Sequence, residues 1–362
     1  MFNNIYQNKK VLITGHTGFK GSWLSFWLKM LGAEVAGYSL YLPSQPNNFE
    51  VLNLQKNLNH NIADTRNLES MKQVFQSFQP EIVFHLASQP IVKKSFKEPR
   101  LTFESNIMGA INVMECAKSF DCVKAVVVIT SDKAYRNVEW KWGYRENDEL
   151  GGHDPYSASK GCVEIACRSY HQSFFADKDY PRIATTRAGN VIGGGDWAEN
   201  RIVPDCIRAL NTGQGIEIRN PHATRPWQHV LEPLSGYLLL GAKLMTDKSE
   251  AGEAYNFGPS ADVTESVGVL ANELTKHWGT GNWNHIPDQD NQKESTLLKL
   301  CCDKALHNLN WKPILTFGET IKFTADWYKK YYQHPDNIHE TTKLQIEEYI
   351  DKAKEKKLTW AK

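Results

Sequence analysis

The chain has 362 residues, 42 of them lysine or arginine against 41 aspartates and glutamates, for a net charge of +1. That length exceeds what one compact core usually needs. The neutral balance, without long basic runs, gives no electrostatic reason for a nucleic acid or a membrane surface as partner. No apolar run reaches the length of a membrane span, residues 1–10 lack a signal-peptide core, and the seven cysteines are scattered without a CxxC pair. A soluble, cytoplasmic protein with reduced thiols is expected, and the 12 histidines, lacking HxxxH spacing, predict no metal site.

A first strand is expected over Lys10–Thr14, running into "GHTGFKG". Gly15, Gly18 and Gly21 precede a helix whose apolar residues Trp23, Leu24, Trp27, Leu28 and Leu31 close at Gly32, a plausible C-cap. Glycines at such a turn let backbone N–H groups approach a pyrophosphate at the helix N-terminus, although a plain tight turn uses them equally well. The second strand, over 34–40, ends on Tyr38 and Ser39 where an acid usually grips the adenosine ribose, so the choice between NAD and NADP stays open there. After a third strand comes Asp64, suited either to the adenine edge or to capping a helix over 67–78. A strand over 81–87, a helix over 98–118 and strands over 125–131 and 182–191 follow. The alternation predicts an α/β fold, a Rossmann-like doubly wound parallel sheet covered on both faces.

After about Gly193 the rhythm changes. Loops rich in Gly, Pro, Trp and His ("GGGDWAENRIVPD", "IRNPHATRPWQHV", "NWNHIPDQDNQKES") are interrupted by shorter helices over 234–245 and 265–278. We expect a dinucleotide-binding domain over 1–192, to which later segments return. A smaller C-terminal substrate-binding lobe should span 193–335, and 336–362 should be a surface helix or frayed tail.

The sharpest chemical signal is "HDPYSASKG". Asp154 and Pro155 are suited to begin a helix, placing Tyr156 and Lys160 on one face a turn apart. An ammonium beside a phenol favours the ionised phenol, which can take a proton from an alcohol while hydride leaves the carbon. Tyr-x-x-x-Lys alone is also an ordinary amphipathic face; it gains meaning from the glycine turn upstream and a Ser/Thr strand end between them. That strand end, "TSDKAYRN", adds an acid and a base, Asp132 and Lys133.

The order Gly15/Gly18/Gly21, Asp64, "HLASQP", Asn106, "TSDK", Tyr156/Lys160 and "RAGNVIGGGD" resembles the extended short-chain dehydrogenase/reductase family over nearly the whole chain. Within it, "GHTGFKGSWL", "WGYRENDELGGHDPYSASKG", "GNVIGGGDW" and "RPWQHVLEPLSGYL" are most similar to the nucleotide-sugar 4,6-dehydratases. The resemblance implies NAD held by Gly15, Thr17, Gly18, Phe19, Lys20, Gly21, Asp64 and Ala87, together with Tyr156 and Lys160. It also implies CDP-glucose as substrate. Hydride would leave sugar C4 while Tyr156 takes the hydroxyl proton and Thr130 bonds the 4-oxygen. Water would then leave across C5–C6, and the hydride would return to C6.

Elimination needs an acid for the C6 hydroxyl and a base for the C5 proton. Dehydratases acting on dTDP-sugars carry Asp-Glu where this chain has Asp132 and Lys133. A lysine base must be neutral, which calls for burial or neighbouring cations; which residue is acid and which base stays open.

For the nucleotide sugar, Arg225 is the first candidate at the diphosphate, with Asn190, Arg201, His229 and Gln89 behind it. Trp197, Tyr135 and Lys141 could line the pocket or serve the core. The resemblance further implies a homodimer, possible as a tetramer, built on helices that include Gly109, Ala110, Val113, Met114 and Ala117. A role in lipopolysaccharide O-antigen deoxysugar supply is also implied. A 4-epimerase or reductase of the same fold would not need Asp132 and Lys133. A non-catalytic dinucleotide sensor typically loses Tyr156 or Lys160, both present here.

Overall fold

The computed structural model describes residues 1–286 and 297–362. Its centre is a seven-stranded parallel sheet: β1 (Lys10–Thr14), β2 (Glu34–Ser39), β3 (Asn59–Ile62), β4 (Ile82–His85), β5 (Ala125–Ile129), β6 (Arg182–Arg187) and β7 (Ala254–Asn256). The spatial order is β7-β6-β5-β4-β1-β2-β3, every neighbouring pair parallel. The order reverses between β1 and β4, so the crevice for a ligand opens at the C-terminal ends of those two strands.

The crossovers supply helices α1 (Phe19–Met30), α2 (Leu68–Phe78), α3 (Gly109–Ser119) and α4 (Pro155–Tyr170). Strand β5, Ala-Val-Val-Val-Ile, is buried throughout, as a strand covered on both faces must be. One face packs Leu12, Val83 and Val126 beneath α2, α3 and α4; the other packs Val11, Ile13 and Val127 against α1 and the later helix α6 (Leu231–Thr246). Helix α4 starts as its sequence predicts, with Asp154 accepting from the Ser157 N–H at 2.9 Å and Pro155 in the first turn. Asn67, not Asp64, caps α2, accepting from Ser70 N–H at 3.0 Å.

The helix expected over 98–118 is broken into Pro99–Phe103, a π-helical turn over Glu104–Met108, and α3. The widened turn carries Asn106 inward, where it accepts from Gln89 N–H (2.7 Å) and donates to Ser159 Oγ on α4 (2.8 Å).

Beyond β6, short strand pairs lie outside the central sheet: Val191–Ile192 with Gln228–His229, Thr224–Arg225 with Glu265–Ser266, and Ile216–Ile218 with Trp283–His285. The last of these lies within the stretch expected to be loop; its continuation over 287–296 lies outside the described residues. Helices α5 (Ile202–Asn211) and α7 (Val267–Trp278) pack on each other and on these pairs, while α6 and β7 return to the sheet. Helices α8 (Phe317–Gln333) and α9 (Ile338–Glu355) complete the chain. The end of the chain is not frayed. Ile346, Tyr349 and Ile350 of α9 are buried, and Trp360 stacks on Phe2 at 5.1 Å and lies edge-on to Trp27 of α1.

Candidate active site

The turn after β1 is built for close approach. Gly15 has φ +76°, and a Cβ there would stand 2.7 Å from the backbone nitrogen of Ala87, just past the end of β4. A Cβ on Gly21 would stand 2.1 Å from the Gly15 carbonyl oxygen. Gly18 precedes α1 with no side-chain cap, so the first N–H groups of the helix are left for an anion. Thr17 is buried and donates to the Tyr41 carbonyl at 2.8 Å. A dinucleotide diphosphate fits this cradle.

At the end of β2 the missing acid is replaced by imidazoles. His16 sits over Gly37, its Nδ1 2.9 Å from Ser39 Oγ and its Nε2 2.6 Å from His60 Nδ1. Burial first, then His60, holds His16 down to about 3, so it is neutral. Sequence reasoning passed over His16 and His60, because their pairing needs β3 beside β2. Asp64 forms a fork with Arg66 (2.9 Å to Nε) while its carbonyl accepts from Tyr38 at 2.9 Å.

The strand end after β5 corrects one assignment. Thr130 is not turned toward the open site. Its hydroxyl donates to Glu164 Oε1 at 2.5 Å, beneath α4. Ser131, on the opposite side of the extended backbone, donates to Asp132 Oδ1 at 2.8 Å and acts to lower the proton affinity of the Tyr156 phenol. Ser131 therefore holds the place expected of Thr130; strand alternation was the signal that could have found it. Asp132 is 3% exposed, and Gly189 packs directly on its carboxylate. Lys133 is exposed, so the burial expected of a lysine base is not provided by the chain's own atoms.

Tyr156 and Lys160 face the same centre, yet the phenol is not lowered by its lysine. Burial pushes Tyr156 up to about 12; the Ser131 hydrogen bond opposes this, Asp132 adds to it and Arg201 opposes it. Lys160 donates to the Ile129 carbonyl at 3.3 Å. Burial and then Lys20 bring it down to about 7, with Glu164 opposing. Lys20 leaves the glycine turn to lie 5.9 Å over the Tyr237 ring of α6, and burial brings it to about 8, Arg201 adding to this and Asp132 opposing it. It thus reaches the catalytic cluster rather than only the diphosphate cradle.

Arg201 approaches the cluster from the start of α5, its Nη1 held by Asp196 at 2.8 Å, and Tyr156 is within its field. Asn190 follows Gly189 with φ 52°, its carbonyl accepting from Gln228 N–H at 3.2 Å. Arg225 stands opposite Glu265 in the short strand pair. Gln89 is turned to internal use: its amide donates to Thr102 Oγ1 (2.9 Å) and the Ile91 carbonyl, and accepts from Ile91 N–H (2.6 Å).

His229 is a correction. It is wholly buried between Trp23 (6.0 Å) and Phe323 (5.4 Å), and burial holds it down to about 3, so it is a core residue. Trp197 likewise packs against Trp327 and Tyr331, and Tyr135 is buried with its hydroxyl on Asn256. Lys141 is exposed. Among the described residues no three His, Cys, Asp or Glu side chains gather as a metal site, no helix is long and apolar enough to cross a membrane, and all seven cysteines are free.

The CDP-glucose 4,6-dehydratase of Salmonella typhimurium is 42% identical over 351 residues, covering 96% of this chain and 98% of that protein. A dTDP-glucose 4,6-dehydratase of Streptomyces antibioticus is 28% identical, covering 68% and 70%. Among solved structures, an epimerase from Methanothermobacter thermautotrophicus superposes with a TM-score of 0.79 at 24% identity, covering 93% of this chain and 96% of that one. The NAD complex of a Bacillus anthracis dTDP-glucose 4,6-dehydratase gives 0.75 at 17%, covering 91% and 99%. The sequence model described as GDP-mannose 4,6 dehydratase matches residues 12–324, and with the full-length 42% relative it establishes that the chain belongs to the GDP-mannose 4,6-dehydratase family.

Proposed function

We propose that this chain is a hydro-lyase converting CDP-D-glucose to CDP-4-dehydro-6-deoxy-D-glucose by oxidation at C4, loss of water across C5–C6 and reduction at C6. The observation that carries the reading is the Ser131-Asp132-Lys133 strand end set beside Tyr156, because simple hydride transfer has no use for a buried acid and an adjoining base there. The Salmonella typhimurium relative supports the cytidine nucleotide and the glucose.

Gly15, Thr17, Gly18, Phe19, Lys20, Gly21, Asp64 and Ala87 would hold NAD, which when bound would supply the hydride-accepting and hydride-donating chemistry. Tyr156 takes the proton of the C4 hydroxyl, and Ser131 holds that oxygen by hydrogen bond. The resulting ketone acidifies the C5 proton. Asp132 and Lys133 then serve the elimination: one takes the C5 proton and the other protonates the departing C6 hydroxyl. Asn190, Arg201 and Arg225 are assigned to the nucleotide sugar, the guanidinium groups matching its diphosphate. The enzyme works in the cytoplasm as a homodimer joined along α3, the π turn before it and α4, where Met108 of that turn and Ile165 of α4 stand 44% and 51% exposed.

The test is incubation of the purified protein with CDP-, dTDP-, GDP- and UDP-glucose and with GDP-mannose, following the alkali-induced ultraviolet absorbance of a 4-keto-6-deoxy sugar. Turnover of another nucleotide sugar without turnover of CDP-glucose would remove the substrate assignment. Lys133→Ala should oxidise C4 yet stall before water loss, and undiminished dehydration would take Lys133 out of the site.

A further inference from the structure

Helix α4 carries a buried carboxylate that the proposed reaction does not use. Glu164 lies one turn beyond Lys160, and its side chain and that of Arg187 are each 3% exposed. Arg187 grips it from β6, Nε to Oε1 at 2.9 Å and Nη2 to Oε2 at 3.0 Å. Thr130, at the end of β5, donates to Oε1 at 2.5 Å, and Thr185 of β6 donates to Oε2 at 2.6 Å. The guanidinium continues outward, with the Tyr135 ring 4.7 Å away and Nη1 donating to the Glu146 carbonyl at 3.0 Å. Tyr135 donates to Asn256 Oδ1 at 2.8 Å, and Asn256 donates to the Tyr144 and Cys301 carbonyls at 2.8 and 3.0 Å.

A buried ion pair rarely stabilises a fold more than well-packed apolar side chains would, but its directional bonds can fix one arrangement among several. Here they fix the catalytic helix against the catalytic strand end. We propose that Glu164 is a positioning residue of the reaction: latched by Arg187, Thr130 and Thr185, it sets Tyr156 and Lys160 of α4 in register with Ser131 and Asp132 after β5.

The same carboxylate supports the charge on Lys160. The groups facing that ammonium are Lys20 from α1, His85 from β4, the Ile129 carbonyl from β5, and Tyr156 and Glu164 from its own helix. Lys20 lowers its proton affinity and Glu164 raises it. Loss of the carboxylate therefore lets Lys160 discharge at lower pH.

The inference rests on Tyr156 and Lys160 as the hydride-transfer pair, and the experiment separates the two. Glu164→Gln alone would strand Arg187 as an uncompensated buried charge, so the informative variant is Glu164→Gln combined with Arg187→Met. We expect a native circular dichroism spectrum, a KM for CDP-glucose within about threefold of wild type, and kcat lower by at least about tenfold, since misplacement by roughly 1 Å costs on the order of 100-fold. A folded pair variant with wild-type kcat overturns the latch. Should the pair not fold, Thr185→Val removes one bond to Glu164 and should lower kcat by about threefold; no change there overturns it equally. Tyr156→Phe is run alongside. Retained turnover in that variant overturns the reaction reading itself, whereas loss there with an unaffected pair variant overturns only the latch.

Discussion

Gly189→Ala tests the part proposed for Asp132 in the elimination without altering that residue. An alanine Cβ would stand 1.8 Å from Asp132 Oδ2 and 2.1 Å from its Cγ. Unbonded heavy atoms settle at roughly 3.5–4.0 Å, so the carboxylate must retreat by about 1.5–2 Å. The glycine backbone is not left-handed, so alanine brings no conformational strain of its own and the injury is local. Misplacement by roughly 1 Å costs on the order of 100-fold, or about 2.7 kcal/mol in the barrier, and the loss falls on dehydration rather than on oxidation at C4. Single-turnover mixing with CDP-glucose should therefore show reduced nicotinamide absorbance building up and persisting, while 4-keto-6-deoxy product forms slowly. A folded Gly189→Ala enzyme that makes product at the wild-type rate, with no accumulation of reduced nicotinamide, would refute the reasoning that Asp132 acts from this position.

Ser131→Ala should slow the first hydride transfer by about 100-fold, the usual worth of a positioned proton-transfer partner, while Ser131→Thr retains most of the rate; stopped-flow absorbance reads both, and an unimpaired alanine variant would return the role to Thr130. His229→Leu should leave KM for the nucleotide sugar within about twofold and shift stability by no more than about 1.5 kcal/mol, as a shape-tolerated core exchange does; a tenfold rise in KM would restore it to the substrate site. Glu232, buried on α6 and accepting from Ile314 and Leu315 N–H at 2.8 and 2.6 Å, is pushed up to about 7 by burial from an ordinary 4.5. The folded state thus holds a proton that the unfolded state releases, and stability falls as pH rises between those values, by up to about 3 kcal/mol. Glu232→Gln should abolish that decline, so its melting temperature relative to wild type should climb from about pH 5 to about pH 8; a pH-independent difference would show that Glu232 stays charged.

The strands that could be read from sequence are those whose chemistry is one-sided. Val11–Ile13 and Val126–Ile129 are continuous apolar runs, which only a strand buried on both faces explains. Strand β3, Asn-His-Asn-Ile, sits at the sheet edge and carries no such pattern; its pairing with β2 comes from tertiary packing. The break in the helix over 98–118 was hidden for a related reason, because the π turn answers to Asn106 reaching Gln89 and Ser159 rather than to any local propensity. In the site, Tyr156, Lys160 and Asp132 were legible because their spacing is set by single elements. The exchange of Thr130 for Ser131 hinges on one residue of strand alternation, and Lys20 and His16 take their meaning from α6 and β3. His229 misled because a polar residue in a loop-like stretch reads as exposed, while the pairing of Gln228–His229 with Val191–Ile192 carries it inward.

The stack of Trp360 on Phe2, edge-on to Trp27, joins residues near opposite ends of the chain beneath the helix that follows the glycine turn. During synthesis Phe2 and Trp27 emerge early, whereas Tyr349 and Trp360, which pack on them, arrive last. The underside of α1 therefore stays open to water, or to a chaperone, until the chain beyond α8 has been made. Cofactor competence should consequently come late and all at once on the ribosome, and a nascent chain halted anywhere before residue 360 would carry the glycine turn on a helix with one face uncovered.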